Sequence, residues 1–124
     1  MRTLSCFIVE DSPVIRDNLI ETLEEMVPVR VCGTAESESD ALDALRRQSP
    51  QPDLVIIDIF LKAGSGLGVL QQARQHRYGR HLVVLSNYAT PEMRLRCAEL
   101  GADLVFDKSS ELAELIGYCE TLGA

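Results

Sequence analysis

The stretch Pro52-Asp53-Leu54-Val55-Ile56-Ile57-Asp58-Ile59-Phe60 decides the fold. Four apolar residues, Leu54 to Ile57, run without interruption into a carboxylate, Asp58, followed by a loop carrying Gly64, Gly66 and Gly68. A continuous apolar run bounded by turn residues marks a strand buried on both faces, as at the centre of a parallel sheet. Ligands gather at the carboxyl ends of such strands. Asp58 is therefore expected at the mouth of the fold, held by a rigid strand. Taken alone, it is equally well a polar residue that merely ends a strand.

Strand and helix signals alternate on both sides of this stretch. Upstream, Leu4 to Val9 reads as a first strand closed by Glu10-Asp11. Ser12-Pro13 then supplies a capping hydroxyl and a proline at the first helical position. Ile15, Leu19, Leu23 and Met26 recur at helical spacing as an inward stripe, and Pro28 ends that helix. Val29 to Cys32 is a short second strand closed by Gly33, and a helix over about 39–47 turns Ala41, Leu42 and Leu45 inward. Ser49-Pro50-Gln51-Pro52 is a turn.

Downstream, a third helix is expected over about 67–77, and Leu82 to Leu85 forms a fourth strand ending at Ser86. Thr90-Pro91-Glu92 repeats the cap-plus-proline start, with Met93, Cys97 and Leu100 inward and Gly101 as terminator. Leu104 to Phe106 is the fifth strand, ending in Asp107-Lys108. Ser109 or Ser110 then caps a last helix with Leu112, Leu115, Ile116 and Cys119 on its core face. Five strand–helix units with short connections imply an α/β fold, a parallel sheet with helices on both faces. Residues 1–124 are expected to form one domain, since no linker interrupts them.

Composition narrows the function. A net charge of −7 repels nucleic acid and anionic lipid. No apolar stretch reaches the roughly 20 residues of a membrane span. The N-terminus has no small-residue cleavage site, so it reads as a strand and not a signal peptide. Cys6, Cys32, Cys97 and Cys119 show no CxxC or metal-like spacing, and buried reduced thiols of a cytoplasmic protein are expected. Arg74, Arg77 and Arg80, with His76 and His81, form one basic stretch, read as a solvated helix end.

The chemistry emerges when the strand ends are set side by side. Glu10-Asp11, Gly33-Thr34, Asp58, Ser86 and Lys108 all fall on one edge of a right-handed parallel sheet. Three carboxylates in one crevice repel each other unless a cation sits among them. A hard cation that takes few protein carboxylates and keeps some waters is Mg²⁺. The Ser86 hydroxyl and the Lys108 ammonium suit the oxygens of a phosphoryl group.

In this order of parts the chain resembles the receiver domain of two-component response regulators. The parts are an acidic pair after strand one, an aspartate after strand three, a hydroxyl after strand four, and aromatic-x-lysine at the end of strand five. Gly66 and Leu70 also fall where the family pattern expects them. The resemblance implies a flavodoxin-like, doubly wound five-stranded sheet in the order 2-1-3-4-5. It implies that Asp58 takes a phosphoryl group from a histidine kinase or histidine phosphotransfer protein, forming an acyl phosphate. Mg²⁺ would be held by Asp11, Asp58 and the Phe60 carbonyl, with Glu10 helping through water. Lys108, Ser86 and the Asn87 backbone would stabilise the phosphoryl oxygens. Ser86 and Phe106 would be the switch, biasing the fourth helix, fifth strand and fifth helix toward a downstream protein target.

Three positions depart from the family pattern, and two more bear on kinetics. Ser109 follows Lys108 where a cis proline is usual, and a non-proline cis bond costs ~3 kcal/mol. Lys62 replaces a common proline and adds a cation near the mouth. Asn87 stands where a small residue is usual, and either crowds the phosphoryl pocket or hydrogen-bonds within it. Phe60 and Tyr88, each two residues past Asp58 or Ser86, are expected to shield the acyl phosphate and slow self-dephosphorylation.

Other readings fit less well. An interaction domain that works without phosphorylation would not need Asp11, Asp58, Ser86 and Lys108 together. An aspartyl phosphatase wants a second carboxylate two residues after its nucleophile, and here that residue is Phe60. A flavin-binding relative would not place carboxylates, Glu10-Asp11, where a phosphate-cradling loop belongs. Gly64-Ser65-Gly66-Leu67-Gly68 lacks the dinucleotide spacing and reads as a flexible turn. The chain ends at Ala124 soon after the last helix, so a stand-alone domain signalling through protein contacts is expected. Leu95 and parts of the last helix offer a face for a homodimer without demanding one.

Overall fold

Every strand–helix unit read from the sequence is present in the computed structural model, which describes residues 2–123. The elements are β1 (Leu4–Val9), α1 (Pro13–Met26), β2 (Val29–Ala35), α2 (Glu38–Arg47), β3 (Leu54–Ile57), α3 (Gly66–His76), β4 (His81–Ser86), α4 (Pro91–Leu100), β5 (Leu104–Asp107) and α5 (Leu112–Gly123). The strands pair in parallel in the order β2-β1-β3-β4-β5. Sequence neighbours β1 and β2 pair, but β3 returns to the other side of β1. The direction of winding therefore reverses between β1 and β3, the switch point where a ligand crevice forms.

β3 is the central strand, and its alternation builds both cores. Leu54 and Ile56 join Leu19 and Leu23 of α1 and Leu115 and Cys119 of α5 on one face. Val55 and Ile57 join Ala41 and Leu45 of α2, Val69, Leu70 and Ala73 of α3, and Cys97 of α4 on the other. All four β3 side chains are 0–1% exposed. Each buried aliphatic side chain of this size contributes roughly 1.5–3 kcal/mol relative to exposure. The helix starts behave as their sequences predict. Ser12 Oγ accepts from Ile15 N, Thr90 Oγ1 accepts from Met93 N, and prolines follow both caps.

The structure corrects several local expectations. β2 does not close at Gly33 but continues to Ala35, because Gly33 pairs with Phe7 after a register shift. A Cβ at Gly33 would lie 2.8 Å from the Phe7 ring, so this glycine makes room for an aromatic and does not end the strand. On α1 only Leu19 and Leu23 are buried, while Ile15 and Met26 are 39% and 60% exposed. Both exposed residues sit in the end turns of the helix, while Leu19 and Leu23 sit in its middle, over the sheet.

Neither Ser109 nor Ser110 caps α5. The helix begins at Leu112, with its first backbone bond from Leu115 to the Glu111 carbonyl, while Ser109 bonds back to Asp107. Lys108–Ser109 is not among the cis bonds of the described residues; the cis bond there is Ser49–Pro50. Cys6, Cys97 and Cys119 are buried free thiols, but Cys32 is half-buried at the β2 register shift. Arg74 is no free solvated charge, because it donates to the Gly101 carbonyl and pairs with Asp103 at 3.3 Å.

Candidate functional site

The carboxyl edge of the sheet brings together the groups that the sequence scatters over about a hundred residues. Glu10 and Asp58 are each one residue past their strands, yet still in the ladder. Glu10 N donates to Ala35 O at 2.9 Å, and Asp58 N to Val9 O at 3.0 Å. Their backbones are thus fixed by the sheet itself. Lys108 N donates in the same way to Ser86 O at 3.0 Å.

The side chains of these residues converge. Lys108 Nζ lies 2.5 Å from Glu10 Oε1 and 3.1 Å from Asp58 Oδ2. Glu10 is 3% exposed and Asp58 8%, while Asp11 is half-buried beside them. Glu10, Asp11 and Asp58 each offer a carboxylate oxygen within 4.8 Å of the others. The other oxygen of Glu10 accepts from Ser12 N at 3.1 Å, which ties the acidic pair to the start of α1.

Electrostatics follow from this crowding. Burial raises the Asp11 pKa, and a hydrogen bond with Glu10 and its charge raise it further. Burial acts against the Lys108 ammonium, but hydrogen bonds and charge from Glu10 and Asp58 outweigh it and raise its pKa. Three carboxylates against one ammonium leave two formal negative charges in the crevice. The donors are hard oxygens close enough for one small ion. A divalent cation of the Mg²⁺ type fits that donor set in charge and chemistry.

The remaining candidates divide between the interior and the rim. Ser86 is fully buried, and its Oγ accepts from Tyr88 N at 3.0 Å. Phe106 lies inward at 7% exposure, with its ring centroid 6.3 Å from that of Tyr118. Phe60 and Tyr88 are 55% and 57% exposed, yet their rings meet edge-on with centroids 4.6 Å apart. That contact joins the β3–α3 loop to the β4–α4 loop. Asn87 is exposed and lines a cavity of about 260 Å³ with Ile15, Asn18, Lys108 and Leu112, on the side of the site toward α1 and α5.

Sequence reading missed the partners of these loops. Lys62 is paired with Glu36 at 2.7 Å, and Glu36 also takes Arg16 at 3.2 Å, so the extra cation at the mouth is already neutralised. Arg94 on α4 donates to the Ala89 and Val105 carbonyls and to Glu111, linking the β4–α4 loop, β5 and the approach to α5. The glycine run is not a flexible turn. Gly66 and Gly68 belong to α3, and a Cβ at Gly66 would overlap the Asp58 carbonyl. No periodicity announces such contacts, which join residues far apart in the chain.

Residues 6–120 match the family described as the response regulator receiver domain. The chain is 31% identical over 101 residues to a protein-glutamate methylesterase/protein-glutamine glutaminase of Treponema pallidum (strain Nichols), covering 80% of this chain and 25% of that protein. It is 32% identical over 123 residues to the alkaline phosphatase synthesis transcriptional regulatory protein SphR of Synechococcus elongatus, covering 93% and 47%. The chain thus spans between a quarter and a half of these curated relatives. A LuxR-family DNA-binding response regulator from Staphylococcus aureus superimposes with a TM-score of 0.85 at 18% identity, over 98% of this chain and 99% of that one, which shows the shared fold.

Proposed function

The chain belongs to the response regulator receiver domain family, and on that premise we propose that Asp58 is its phosphoryl acceptor. The observation that carries this reading is one nearly buried carboxylate with Lys108 Nζ at 3.1 Å and two further carboxylates within 4.8 Å. An Asp58 oxygen attacks the phosphorus of a phosphohistidine on a kinase or phosphotransfer partner. The new O–P bond forms as the P–N bond breaks, and the imidazole leaves with the bonding electron pair and takes up a proton. The protein's task is positioning and charge stabilisation.

Each residue has a part in that step. Asp11 and Asp58, with the Phe60 carbonyl and with Glu10 through water, would hold Mg²⁺. When bound, the ion neutralises charge between the acceptor carboxylate and the phosphoryl oxygens. Lys108 follows the charge as it moves onto the phosphoryl group, giving up part of its contact with Asp58. The Ser86 hydroxyl accepts from Tyr88 N and keeps its own proton for a phosphoryl oxygen. The Asn87 amide, next in the chain, adds a backbone donor. Ser86 and Phe106 form the switch, with Phe106 lying inward at 7% exposure.

Residues 1–124 act as one receiver domain in the cytoplasm, and catalyse their own phosphorylation and dephosphorylation without turning over a separate substrate. Output passes through the α4–β5–α5 surface, where Leu95 and Leu104 stand 64% and 41% exposed, to a protein target or a second copy. Among the described residues no helix is long and apolar enough to cross a membrane.

The test is intact-mass measurement after incubation with Mg²⁺ and phosphoramidate. A phosphoryl adduct on the wild type that is lost in Asp58→Asn is expected. A folded wild type that takes no phosphoryl group from any small donor or phosphohistidine protein would favour a phosphorylation-independent interaction domain of the same fold.

A further inference from the structure

We propose that Glu38, at the first turn of α2, is a positioning residue that sets the metal affinity of the Asp58 site through the β3–α3 loop. The inference rests on reading that site as a metal-dependent phosphoacceptor. Its starting point is the run Gly64-Ser65-Gly66-Leu67-Gly68, which the phosphoryl chemistry itself does not explain.

Two of the three glycines are shaped around Glu38. Gly64 has φ +78°, and a Cβ there would lie 2.8 Å from Glu38 Oε1. A Cβ on Gly68 would lie 2.6 Å from Glu38 Cδ. Within this cradle, Glu38 Oε1 accepts from Ser65 N at 2.8 Å, while Glu38 N donates to Ala63 O at 3.0 Å. The loop is therefore held to α2 at two points by one residue, across 27 positions of sequence.

From Ser65 the contacts lead to the reacting carboxylate. Ser65 forms an isolated antiparallel bridge with Phe60, whose carbonyl is assigned to the metal. Gly66 N donates to Ile59 O at 2.7 Å, and the Asp58 carbonyl occupies the space where a Gly66 side chain would stand. The loop closes into a tight ring whose two ends are Asp58 and the start of α3. Glu38 is the brace outside that ring. Without it, Ser65 N loses its acceptor and the Phe60 carbonyl loses a fixed position. The metal then binds a loop that must be ordered at the moment of binding.

The experiment uses the full chain and Mn²⁺ as a paramagnetic probe, with Mg²⁺ measured by competition and Tm recorded for each variant. Glu38→Ala should weaken Mn²⁺ and Mg²⁺ binding roughly tenfold, the lower end of what loss of an outer-shell partner costs a metal site. Glu38→Gln keeps an oxygen acceptor for Ser65 N and should recover most of that loss. Gly68→Ala, which forces the carboxylate off the Ser65 amide, should reproduce the Glu38→Ala defect. The double variant should bind no more weakly than either single one, because both remove the same contact.

Distinct results overturn the idea. A Glu38→Ala variant with lowered Tm but unchanged metal affinity would make Glu38 a structural clasp only. A Glu38→Gln variant as weak as Glu38→Ala would make its charge, and not the clasp, responsible. Strictly additive losses for Glu38→Ala and Gly68→Ala would separate the cradle from the site. A wild type that binds neither cation would overturn the phosphoacceptor reading itself, and this inference with it.

Discussion

Strand β3 carries an aspartate at each end, and both are buried alike: Asp53 and Asp58 are each 8% exposed. Asp53, at the amino end, is closed off by protein. It accepts from Ser5 N at 2.9 Å, Ser5 Oγ at 3.3 Å and Arg2 Nη1 at 3.1 Å, and its own amide donates to Ser5 Oγ at 3.0 Å. Burial acts to raise its pKa, but the Ser5 amide and the Arg2 guanidinium outweigh that and hold it below the ordinary 3.8. Asp58, at the carboxyl end, has Lys108 as its side-chain partner among the described residues, and shares it with Glu10 while Asp11 crowds in. Residue type, strand and burial are the same. What separates a structural carboxylate from the proposed phosphoryl acceptor is whether its charge is already satisfied.

Exchanging the two roles by mutation is the hardest way to press that contrast. Asp53→Ala leaves the Ser5 and Arg2 donors without an acceptor, and should cost about 1–3 kcal/mol of stability in urea unfolding. It should still form the phosphoryl adduct. Asp58→Asn should abolish the adduct yet leave stability unchanged or raised, since it removes one of three crowded like charges. Equal stability losses in the two variants would erase the distinction.

A weaker effect sharpens it with pH. Because the folded-state pKa of Asp53 lies below its unfolded value of 3.8, its stabilising contribution is fully present above that value. It is lost as pH falls through the folded pKa. The stability gap between the wild type and Asp53→Asn should therefore be constant near neutrality and close progressively below pH 3.8. Urea midpoints at stepped acid pH measure it, and a gap that widens on acidification would contradict the assignment.

The same strand shows how far a sequence can be read. The apolar run Leu54–Ile57 marked β3 as a strand buried on both faces, and the other strand ends were needed to set Asp58 in the crevice. Burial on both faces demands an unbroken apolar run, and parallel winding puts all strand ends on one edge. Strand ends therefore located Glu10, Asp11, Ser86 and Lys108 as well. What stayed hidden depends on side chains meeting across the chain. Gly33 looked like a strand terminator because its reason, the Phe7 ring, lies on another strand. Ile15 and Met26 obeyed the helical period but lie exposed, since period alone does not say how much of a helix its sheet can cover. The glycines of the β3–α3 loop suggested mobility, whereas Glu38 and the Asp58 carbonyl occupy the space their side chains would take.

The smallest effect concerns what closes each carboxylate off from water. At Asp53 it is an arginine and a serine; at Asp58 we propose that it is the pair Phe60 and Tyr88, in edge contact at 4.6 Å. Neither ring donates or accepts at the reacting atoms, so neither should change whether the phosphoryl group is taken up. On the proposed reading, a hydrolytic water approaches the phosphorus in line with the Asp58 oxygen, past these two loops. Two aromatic rings in contact narrow its approach. Phe60→Asn with Tyr88→Glu replaces the pair by groups that can hydrogen-bond the water and hold it in place. The phosphorylated double variant should lose its phosphoryl group several-fold faster than the wild type, as followed by intact mass over time. Each single variant should fall between, since either ring alone leaves half of the contact. An unchanged lifetime in the double variant would reduce the pair to packing at the rim. The contrast between the two aspartates would then rest on charge alone.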